Sequence, residues 1–520
     1  MNKTVPKVQA AIFLPEAKVQ SNWLGFLAMC IGMFMAILDI QIVVTSLPAI
    51  STALNIPASS MSWVQTVYLV AEIIAIPMTG YLTRALSMRG LFLWAISIFT
   101  LASFACAMAP TLAPLMAARI FQGFAGGCLI PLVFSAVFLL FPPGQQSLPT
   151  TLAGGLAVLA PTLGPTVGGY ITQTYSWHWL FMVNVLPGIL ALAIALANLR
   201  KDVANHSLLR LVDWVSVLLM MVGLTSFQVA MKEGPAEGWL SLPIACLFLT
   251  FVLCLIVFIF RSVTLPNPLT RLQLLRERNF ATAAIVSFAF GIGLFATVYL
   301  MSVFLGIVRH HSPLEIGIVM LVTGVTQLIV SPLVVFLDRH FDARLLTFIG
   351  LVIFGSGLAI SSWESGNADF HEMILPQVLR GTGIMFCLIP PTRLALSGLP
   401  EEMIPDGSAL FNLMRNLGGA VGIALVDTVI WQRSPKLAAE AAMKLAAGDT
   451  ATANAIGLPF PLPPAGSIKL DGPEIELVRP YLETYALTGA INEAWFLLAA
   501  VTFAALFALP LSRPNKAFRS

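Results

Sequence analysis

Long apolar runs, separated by short polar breaks, occupy most of this chain of 520 residues. Runs of about 18–25 apolar residues have the length that a helix needs to cross a bilayer. Charged residues make up only 10% of the sequence, whereas a soluble domain carries about 25%. The sequence therefore predicts an all-α polytopic membrane protein with fourteen transmembrane helices. The runs lie near residues 22–47, 60–82, 91–109, 112–137, 150–172, 180–198, 211–231, 240–260, 283–308, 314–336, 345–362, 373–397, 408–431 and 491–511.

The distribution of Lys and Arg predicts the orientation of these helices. When the N-terminus is taken as cytoplasmic, 17 of the 28 Lys and Arg residues fall in cytoplasmic tails and loops, and seven fall on the opposite side. Five of those seven lie in one long loop, about 432–490, where charges have little influence on orientation. By the positive-inside rule, both termini are expected in the cytoplasm.

Several classes of function are disfavoured by what the sequence lacks. The net charge of +3 is too small to indicate nucleic-acid binding. The six cysteines have no CxxC spacing and lie in apolar runs, so we expect neither a metal site nor a disulfide framework. No GxSxG, HExxH or P-loop motif is present, so we expect no catalytic residue, no cofactor and no ATP hydrolysis. The 432–490 loop is the only predicted loop large enough for a small extramembrane structure.

Two short patterns occur twice in the chain. The tetrapeptide CLIP lies on the fourth run and again on the twelfth, and the basic turn LTRALSMRG after the second run resembles LDRHFDARL after the tenth. Two six-helix halves separated by two extra helices would explain why both patterns are repeated. Parallel six-helix repeats are typical of secondary transporters, with the substrate site at the midplane between the halves. The predicted segments are a cytoplasmic tail 1–21, an N-terminal half 22–198, an inserted pair 199–278, a C-terminal half 279–511 and a cytoplasmic tail 512–520.

Asp39 is the one carboxylate in FMAILDIQIVVTSLP, on the first run, and a charge near the centre of a bilayer costs about 3 kcal/mol. Arg119 follows Pro114 by five residues on the fourth run, which puts it roughly 8–13 Å below the outer surface. Asp39 precedes Pro48 by nine residues on a helix of opposite direction, so its depth is similar. We predict an ion pair between them, which is either purely structural or changes protonation during transport.

Arg380 and Arg393 also fall within or at the edge of the twelfth run, and three further ionisable residues within runs are discussed one by one. Glu72 lies near the midplane of the second run, where a lone carboxylate is more often functional than structural and could carry a proton or meet a cationic substrate. Asp427 lies near the outer end of the thirteenth run, where contact with water explains it as well as a proton relay does. Arg415, earlier on that run, either extends toward the cytoplasm or takes part in an anion or ion-pair site.

The fifth run carries a stripe of small residues. Ala160, Gly164 and Gly168 are spaced four apart, and Pro165 and Gly169 adjoin them. Small residues at this spacing let another helix approach closely, and proline allows a transmembrane helix to bend. Helix packing alone would explain the stripe, but its combination with GPTVGG favours a pliable seam at which two halves rock.

Four stretches resemble the fourteen-span drug:proton antiporters of the major facilitator superfamily, of the EmrB/QacA type. LDIQIVVTSLPAI (38–50) matches the L-D-x-x-I-V-x-x-x-L-P pattern of their first span, and ARIFQGFAGG (118–127) matches the R-x-x-Q-G motif of their fourth. LGPTVGG (163–169) matches their antiporter motif G-P-x-x-G-G, and WHWLFMVNVLPG (177–188) matches the start of their sixth span. The resemblance extends over nearly the whole chain.

One turn departs from the family pattern. The loop between spans two and three of the superfamily usually reads G-x-L-x-D-R-x-G-R, whereas GYLTRALSMRG has Arg84 in place of the Asp. The second-half turn LDRHFDAR keeps Asp338 and Arg339. We therefore group Arg84, Asp338 and Arg339 with the seam as conformational residues, and do not expect the usual latch at Arg84.

The resemblance implies a major facilitator fold in a 6+2+6 arrangement, in the inner (plasma) membrane of a bacterium. It implies export of small amphipathic or toxic compounds by alternating access, driven by protons that enter in exchange. A periplasmic adaptor and an outer-membrane channel are candidate partners, with the 432–490 loop as a candidate contact. An exporter of one endogenous metabolite, such as a siderophore, is the alternative, and a non-transporting sensor or scaffold is a further one.

Within this frame the sequence supplies two sets of candidate site residues. The residues predicted to couple protons are Asp39, Glu72, Arg119 and Asp427. The residues predicted to line the substrate cavity are Glu72, Gln122, Asn412 and Arg415. Whether Asp39 or Glu72 carries the proton is left open by the sequence.

Overall fold

The computed structural model describes residues 22–55, 63–142, 144–201, 204–458 and 473–513. The predicted N-terminal tail 1–21, the end of the chain from residue 514 and the PFPLPPAG segment of the long loop lie outside the described residues.

Fourteen long helices run through the described residues, one for each predicted apolar run. They are α1 Trp23–Leu54, α2 Trp63–Leu86, α3 Met88–Ala107, α4 Leu112–Leu140, α5 Ser147–Thr174, α6 His178–Asn198, α7 Trp214–Glu237, α8 Leu242–Thr264, α9 Arg278–Val303, α10 Pro313–His340, α11 Ala343–Ser361, α12 Phe370–Leu396, α13 Ile404–Ala446 and α14 Pro473–Ala504. Thirteen are long and apolar enough to cross a bilayer, and α5 is the fourteenth although it bends by 47°. The predicted fourteen-span helical fold is therefore confirmed.

Helices α1–α6 and α9–α14 form two six-helix halves, called here the N-half and the C-half, with α7 and α8 beside them. Helix α7 packs against α2 of the N-half and α13 of the C-half, so the inserted pair rests on the junction of the halves. Helix α8 packs mainly against α7. Arg261 of α8 donates hydrogen bonds of 2.6 and 3.0 Å to Asp213, the residue before α7, and these bonds tie the two inserted helices together.

Two large apolar clusters make up the core. One is centred on the N-half and also contains Phe280, Leu394 and Phe411, from the predicted cytoplasmic ends of α9, α12 and α13. The other belongs to the C-half and includes Trp495 of α14. Since the first cluster crosses from one half to the other, the two halves are in contact on the predicted cytoplasmic side.

The predicted loop 432–490 is largely helical where it is described. Helix α13 continues to Ala446, through most of the Ala-rich stretch LAAEAAMKLAAG (437–448). A short helix then spans Thr450–Ile456, and α14 follows. Leu445 and Leu482 are among the apolar side chains by which these three segments pack together. The Ala-rich stretch extends α13 because its apolar residues recur at helical spacing and find a partner surface on α14.

The small residues of α5 face α1, in the same half. Gly164 lies so close to Gln41 of α1 that a Cβ atom on the glycine would overlap the Gln41 side chain. Ala160 is fully buried in the cluster that contains Ile42 of α1. On another face of α5, Thr166 closely approaches Gly317 of α10, in the C-half. The predicted seam therefore contains two contacts. One is a close contact between α1 and α5 within the N-half, and the other is a contact between α5 and α10 that joins the halves.

The bend of α5 falls within this seam. It lies between Ser147–Pro161 and Thr166–Thr174, within the GPTVGG region. Gly168 and Gly169 are buried, whereas the side chain of Pro165 lies outside what the structure describes. The bend agrees with the expectation that proline and glycine weaken the helix at this point.

Candidate functional site

Asp39 of α1 and Arg119 of α4 form an ion pair inside the N-half, in which an Arg119 Nη1 donates to Asp39 Oδ2. Both side chains have an exposed fraction of 0%. Gln122 Nε2 donates to Asp39 Oδ1 over 3.0 Å, and Asn184 Nδ2 of α6 donates to the same oxygen over 2.7 Å. Both oxygens of the carboxylate are thus engaged by protein donors, as a buried charge requires.

The rest of the Arg119 side chain is also held by the N-half. Its guanidinium carbon lies 4.2 Å from the centre of the Tyr68 ring, and its Nε donates to the Val64 carbonyl over 3.3 Å. The Tyr68 hydroxyl donates to the Ala36 carbonyl over 2.9 Å, which fixes the ring. Contacts from α1, α2, α4 and α6 thus hold the pair in one geometry. The estimate of depth along the helices predicted the Asp39–Arg119 pair but did not identify Asn184 as a third partner. Asn184 lies within the WHWLFMVN match, so this motif could have indicated it.

A cavity of about 140 Å³ lies between the halves. Glu72 of α2 faces it from the N-half, and Arg380 of α12 and Arg415 of α13 face it from the C-half. Most of the other lining side chains are apolar, and the inserted α7 contributes Gln228. Sites for drug-sized ligands usually measure about 300–1,000 Å³, so such a ligand requires the halves to move apart.

The backbones of α2 and α4 approach each other closely at Glu72. Gly127 of α4 lies against the Glu72 backbone, and a Cβ atom on this glycine would lie 3.0 Å from the Glu72 Cα atom. The Glu72 side chain is 5% exposed, and within the described part of the chain it has no hydrogen-bond or ion-pair partner within 4.0 Å. It differs in this from Asp39, whose carboxylate is fully bonded.

Two predicted cavity residues lie elsewhere. Gln122 belongs to the Asp39 cluster, where its amide also donates to Ser103 over 2.8 Å. Asn412 is fully buried, donates to the Ser408 carbonyl over 2.9 Å and accepts a hydrogen bond from Arg415. Both side chains are therefore used in packing the helices, and neither lines the cavity. Asp427 also lies apart from it and accepts a 2.6 Å hydrogen bond from the Tyr299 hydroxyl of α9.

Arg84, at the departure from the family pattern, forms an ion pair across the halves. Its partner is Asp406 in the first turn of α13, whose side chain has an exposed fraction of 0%. Arg271 Nε lies 3.6 Å from the same carboxylate. Gly80 of α2 permits the approach, since a Cβ atom there would lie 2.8 Å from the Asp406 Cα atom. A contact that joins the halves is thus present at Arg84, with arginine in the N-half and aspartate in the C-half.

The corresponding turn of the C-half makes a contact within its own half. Asp338 at the end of α10 is 1% exposed and lies 3.1 Å from Arg393 of α12. Arg339 is exposed. The two similar turns therefore differ in this conformation: the ion pair at the first turn joins the halves, whereas the ion pair at the second turn lies within the C-half.

Comparison with known proteins places the chain in a family. The family described as the Major Facilitator Superfamily matches residues 29–423. The chain is 40% identical over 410 residues to the colistin resistance protein EmrB of Acinetobacter baumannii, which covers 79% of this chain and 80% of that protein. It is 30% identical over 407 residues to the multidrug export protein EmrB of Escherichia coli K12, covering 78% of this chain and 79% of that one.

The chain is also similar to a further bacterial relative and to a solved structure. The fatty acid resistance protein FarB of Neisseria gonorrhoeae is 30% identical over 412 residues, covering 79% of this chain and 81% of FarB. The crystal structure of the human organic anion transporter MFSD10 (TETRAN) superposes with a TM-score of 0.61 and 12% identity, covering 94% of this chain and 99% of that one, which shows the shared fold. The chain therefore belongs to the Major Facilitator Superfamily, as a multi-pass membrane transporter of the EmrB type and not an enzyme.

Proposed function

We propose that this protein exports small amphipathic or toxic compounds across the inner membrane of a bacterium, in exchange for protons and by alternating access. The observation that carries the proposal is the mostly apolar cavity between two six-helix halves, with the unbonded carboxylate of Glu72 on its wall as the one carboxylate among the described lining residues. The names of the relatives, which describe multidrug export and resistance to colistin and fatty acids, support an exporter.

Glu72 is proposed as the group that carries the proton. A proton site must exchange with the cavity, and a carboxylate that faces the cavity without a bonding partner can do so. The Asp39–Arg119 pair is proposed as its support. Arg119 packs on Tyr68, one helical turn before Glu72 on α2, and keeps this part of the helix in place. Protonation of Asp39 would leave the Arg119 charge buried without its partner, which is costly.

Exchange follows if proton and substrate compete at Glu72. A basic substrate group that meets the carboxylate displaces the proton toward the cytoplasm, and a proton that enters from outside displaces the substrate. Separation of Arg84 from Asp406 opens the cytoplasmic side, and movement at the α5–α10 contact opens the outer side. The proton gradient thereby supplies the driving force without a cofactor.

A periplasmic adaptor and an outer-membrane channel are proposed as partners. Helix α13 has 43 residues and is about 65 Å long at about 1.5 Å per residue, whereas the hydrocarbon core is about 30 Å thick. Its outer part, packed on α14, therefore projects well beyond the bilayer and offers a helical surface to such an adaptor. Cross-linking from Met443, which is 55% exposed on this projection, tests the contact, and labelling confined to lipid-embedded proteins would contradict it.

Transport in proteoliposomes tests the main proposal. Purified protein is reconstituted, a pH gradient is imposed, and the uptake of two fluorescent compounds, ethidium and norfloxacin, is followed. We expect uptake that is lost when nigericin collapses the gradient. Uptake that is unchanged by nigericin would remove proton coupling, and the absence of uptake of any compound in a broader panel would favour a sensor or scaffold.

A further inference from the structure

The fourth helix of each half carries a buried arginine. Arg119 of α4 is 0% exposed and Arg380 of α12 is 1% exposed. In the N-half, α1 supplies Asp39 as the partner of Arg119. In the C-half, α9 has the place that α1 has in the N-half, and it presents Met301, whose sulfur lies 3.5 Å from Arg380 Nη2. The first helix of the C-half thus contacts Arg380 through a thioether, which does not neutralise the charge.

The other direct contacts of Arg380 in the described chain are with uncharged groups. Its Nη1 donates to Ser361 Oγ over 3.1 Å, and its guanidinium carbon lies 4.8 Å from the Trp495 ring centre. Its Nε has no hydrogen-bond partner among the described residues. Glu364 lies within electrostatic range but forms no ion pair within 4.0 Å in the described chain. A buried guanidinium without an ion-pair partner is costly unless a ligand completes it.

Arg380 lies on the wall of the central cavity, which makes that cavity bipolar. The C-half wall carries Arg380 and Arg415, and the N-half wall carries Glu72. Arg415 donates to the side-chain amide oxygen of Asn412, lies near the Phe134 ring and interacts with Glu72 over a longer range. Neither arginine has a carboxylate within 4.0 Å among the described residues, but Arg380 differs in having a buried donor, its Nε, without a hydrogen-bond partner there.

Charge complementarity and proton exchange together select the substrate. An acidic substrate without a basic group would bind best when Glu72 is protonated, so proton and substrate would travel together, which is the opposite of exchange. A purely cationic substrate would compete with the proton but would leave Arg380 unpaired and would be repelled by it. A zwitterion can compete with the proton at Glu72 through its basic group and can pair with Arg380 through its acidic group.

We propose that the preferred substrates are amphipathic zwitterions, whose acidic group binds Arg380 on the C-half wall while the basic group replaces the proton on Glu72. The proposal rests on the proposed exchange of protons at Glu72. Apolar parts of the substrate contact the aliphatic and aromatic side chains between the two charged walls, such as Ile37, Leu294 and Phe295.

Three compounds on one scaffold test the proposal. Norfloxacin carries an amine and a carboxylate, its methyl ester carries only the amine, and its N-acetyl derivative carries only the carboxylate. Binding of each to the full chain in detergent is measured by isothermal titration, and gradient-driven uptake is measured in proteoliposomes. We expect norfloxacin to bind about 30-fold more tightly than its ester, since an unpaired buried charge costs this much or more.

Two variants complete the experiment. Arg380→Gln should weaken norfloxacin binding and, by removing the repulsion, bind the ester at least as tightly as the wild type does, so that the two compounds bind with similar affinity. Arg433→Gln, which removes an arginine paired with Glu493 outside the membrane, serves as the matched control and should change neither. A wild-type protein that binds the ester as tightly as norfloxacin, or an Arg380→Gln variant that weakens both equally, would overturn the proposal. Norfloxacin binding that depends on Arg380, combined with uptake that ignores the gradient, would instead refute the proton exchange.

Discussion

Each half of this transporter has a buried arginine on its fourth helix, and the two arginines have different surroundings. In the N-half, Arg119 is paired with Asp39 and surrounded by Gln122 and Tyr68. In the C-half, Arg380 meets a thioether, a hydroxyl and an indole ring, and it lines the cavity. The first arginine is paired with a carboxylate of its own half, whereas the second has no carboxylate within 4.0 Å among the described residues. Each also has one buried nitrogen without a hydrogen-bond partner there, Nη2 in Arg119 and Nε in Arg380.

This difference explains how a fold built from two similar halves can exchange two different solutes. In the N-half, the contacts of Arg119 hold α1, α2 and α4 together. Glu72 therefore lies on a rigid wall of the cavity. The C-half carries guanidinium groups on the facing wall. One wall thus binds protons or basic groups, the other binds acidic groups, and the moving junction lies between them.

The largest difference between the halves is expected in stability. Arg119→Ala leaves Asp39 buried without its partner and should lower the free energy of unfolding by about 3–5 kcal/mol. Arg380→Ala removes a charge that has no ion-pair partner and should cost far less. Thermal unfolding of both variants in the same detergent measures the difference, and equal losses would show that the comparison of the two arginines is wrong.

The contact across the halves on the predicted cytoplasmic side comes next. Arg84→Asp places two carboxylates together beside Arg271 and should lower transport about 30-fold, since losing one partner of a buried pair costs about 2 kcal/mol or more. The exchanged pair, Arg84→Asp with Asp406→Arg, restores opposite charges and should recover most of the rate. Initial rates of uptake check both variants, and an exchanged pair as slow as the single variant would exclude the ion pair as the latch.

A smaller effect is expected at the seam of the N-half. Gly164→Ala inserts a methyl group against Gln41 and should slow transport several-fold, since overpacking costs about 1–3 kcal/mol. Gly155→Ala, on the same helix, meets no other atom within 4 Å and is the matched control. Uptake rates that fall equally in both variants would assign the loss to α5 in general and not to its contact with α1.

The smallest effect is expected at Asp427 in the C-half. Its hydrogen bond with Tyr299 lies apart from the cavity, and such a bond contributes about 1 kcal/mol. Asp427→Asn can keep that bond, so gradient-driven uptake should change by less than about twofold. Loss of proton coupling in this variant, measured by the same uptake assay, would move the proton site from the N-half to the C-half.

Features that depend only on the distance along a helix could be predicted from the sequence. Apolar run length predicted fourteen spans, and counting residues from Pro48 and Pro114 predicted the Asp39–Arg119 pair. Which way a side chain points was beyond this method, because a uniformly apolar helix gives no sign of its buried face. Gln122 was therefore assigned to the cavity, although it belongs to the Asp39 cluster.

Contacts between the halves were also beyond sequence reasoning. Arg84 and Asp406 lie 322 positions apart, and their pairing depends on how two separately folded halves dock. The sequence identifies Arg380 only as a charge within a span. Its proposed role in substrate binding depends on which side chains contact it in the folded C-half, and this contact set cannot be read from the sequence. The extent of α13 was underestimated since alanine-rich, charged sequence outside the bilayer resembles a loop until its partner on α14 is known.

Proton release on substrate binding tests the central claim, that Glu72 carries the proton, most directly. Norfloxacin is added to the purified full chain in weakly buffered detergent solution, and the released protons are counted with a pH indicator. The account predicts a release of about one proton per bound molecule in the wild type and none in Glu72→Gln, while an Asp39→Asn and Arg119→Gln double variant that still folds retains the release. Equal release from Glu72→Gln and the wild type would contradict the account.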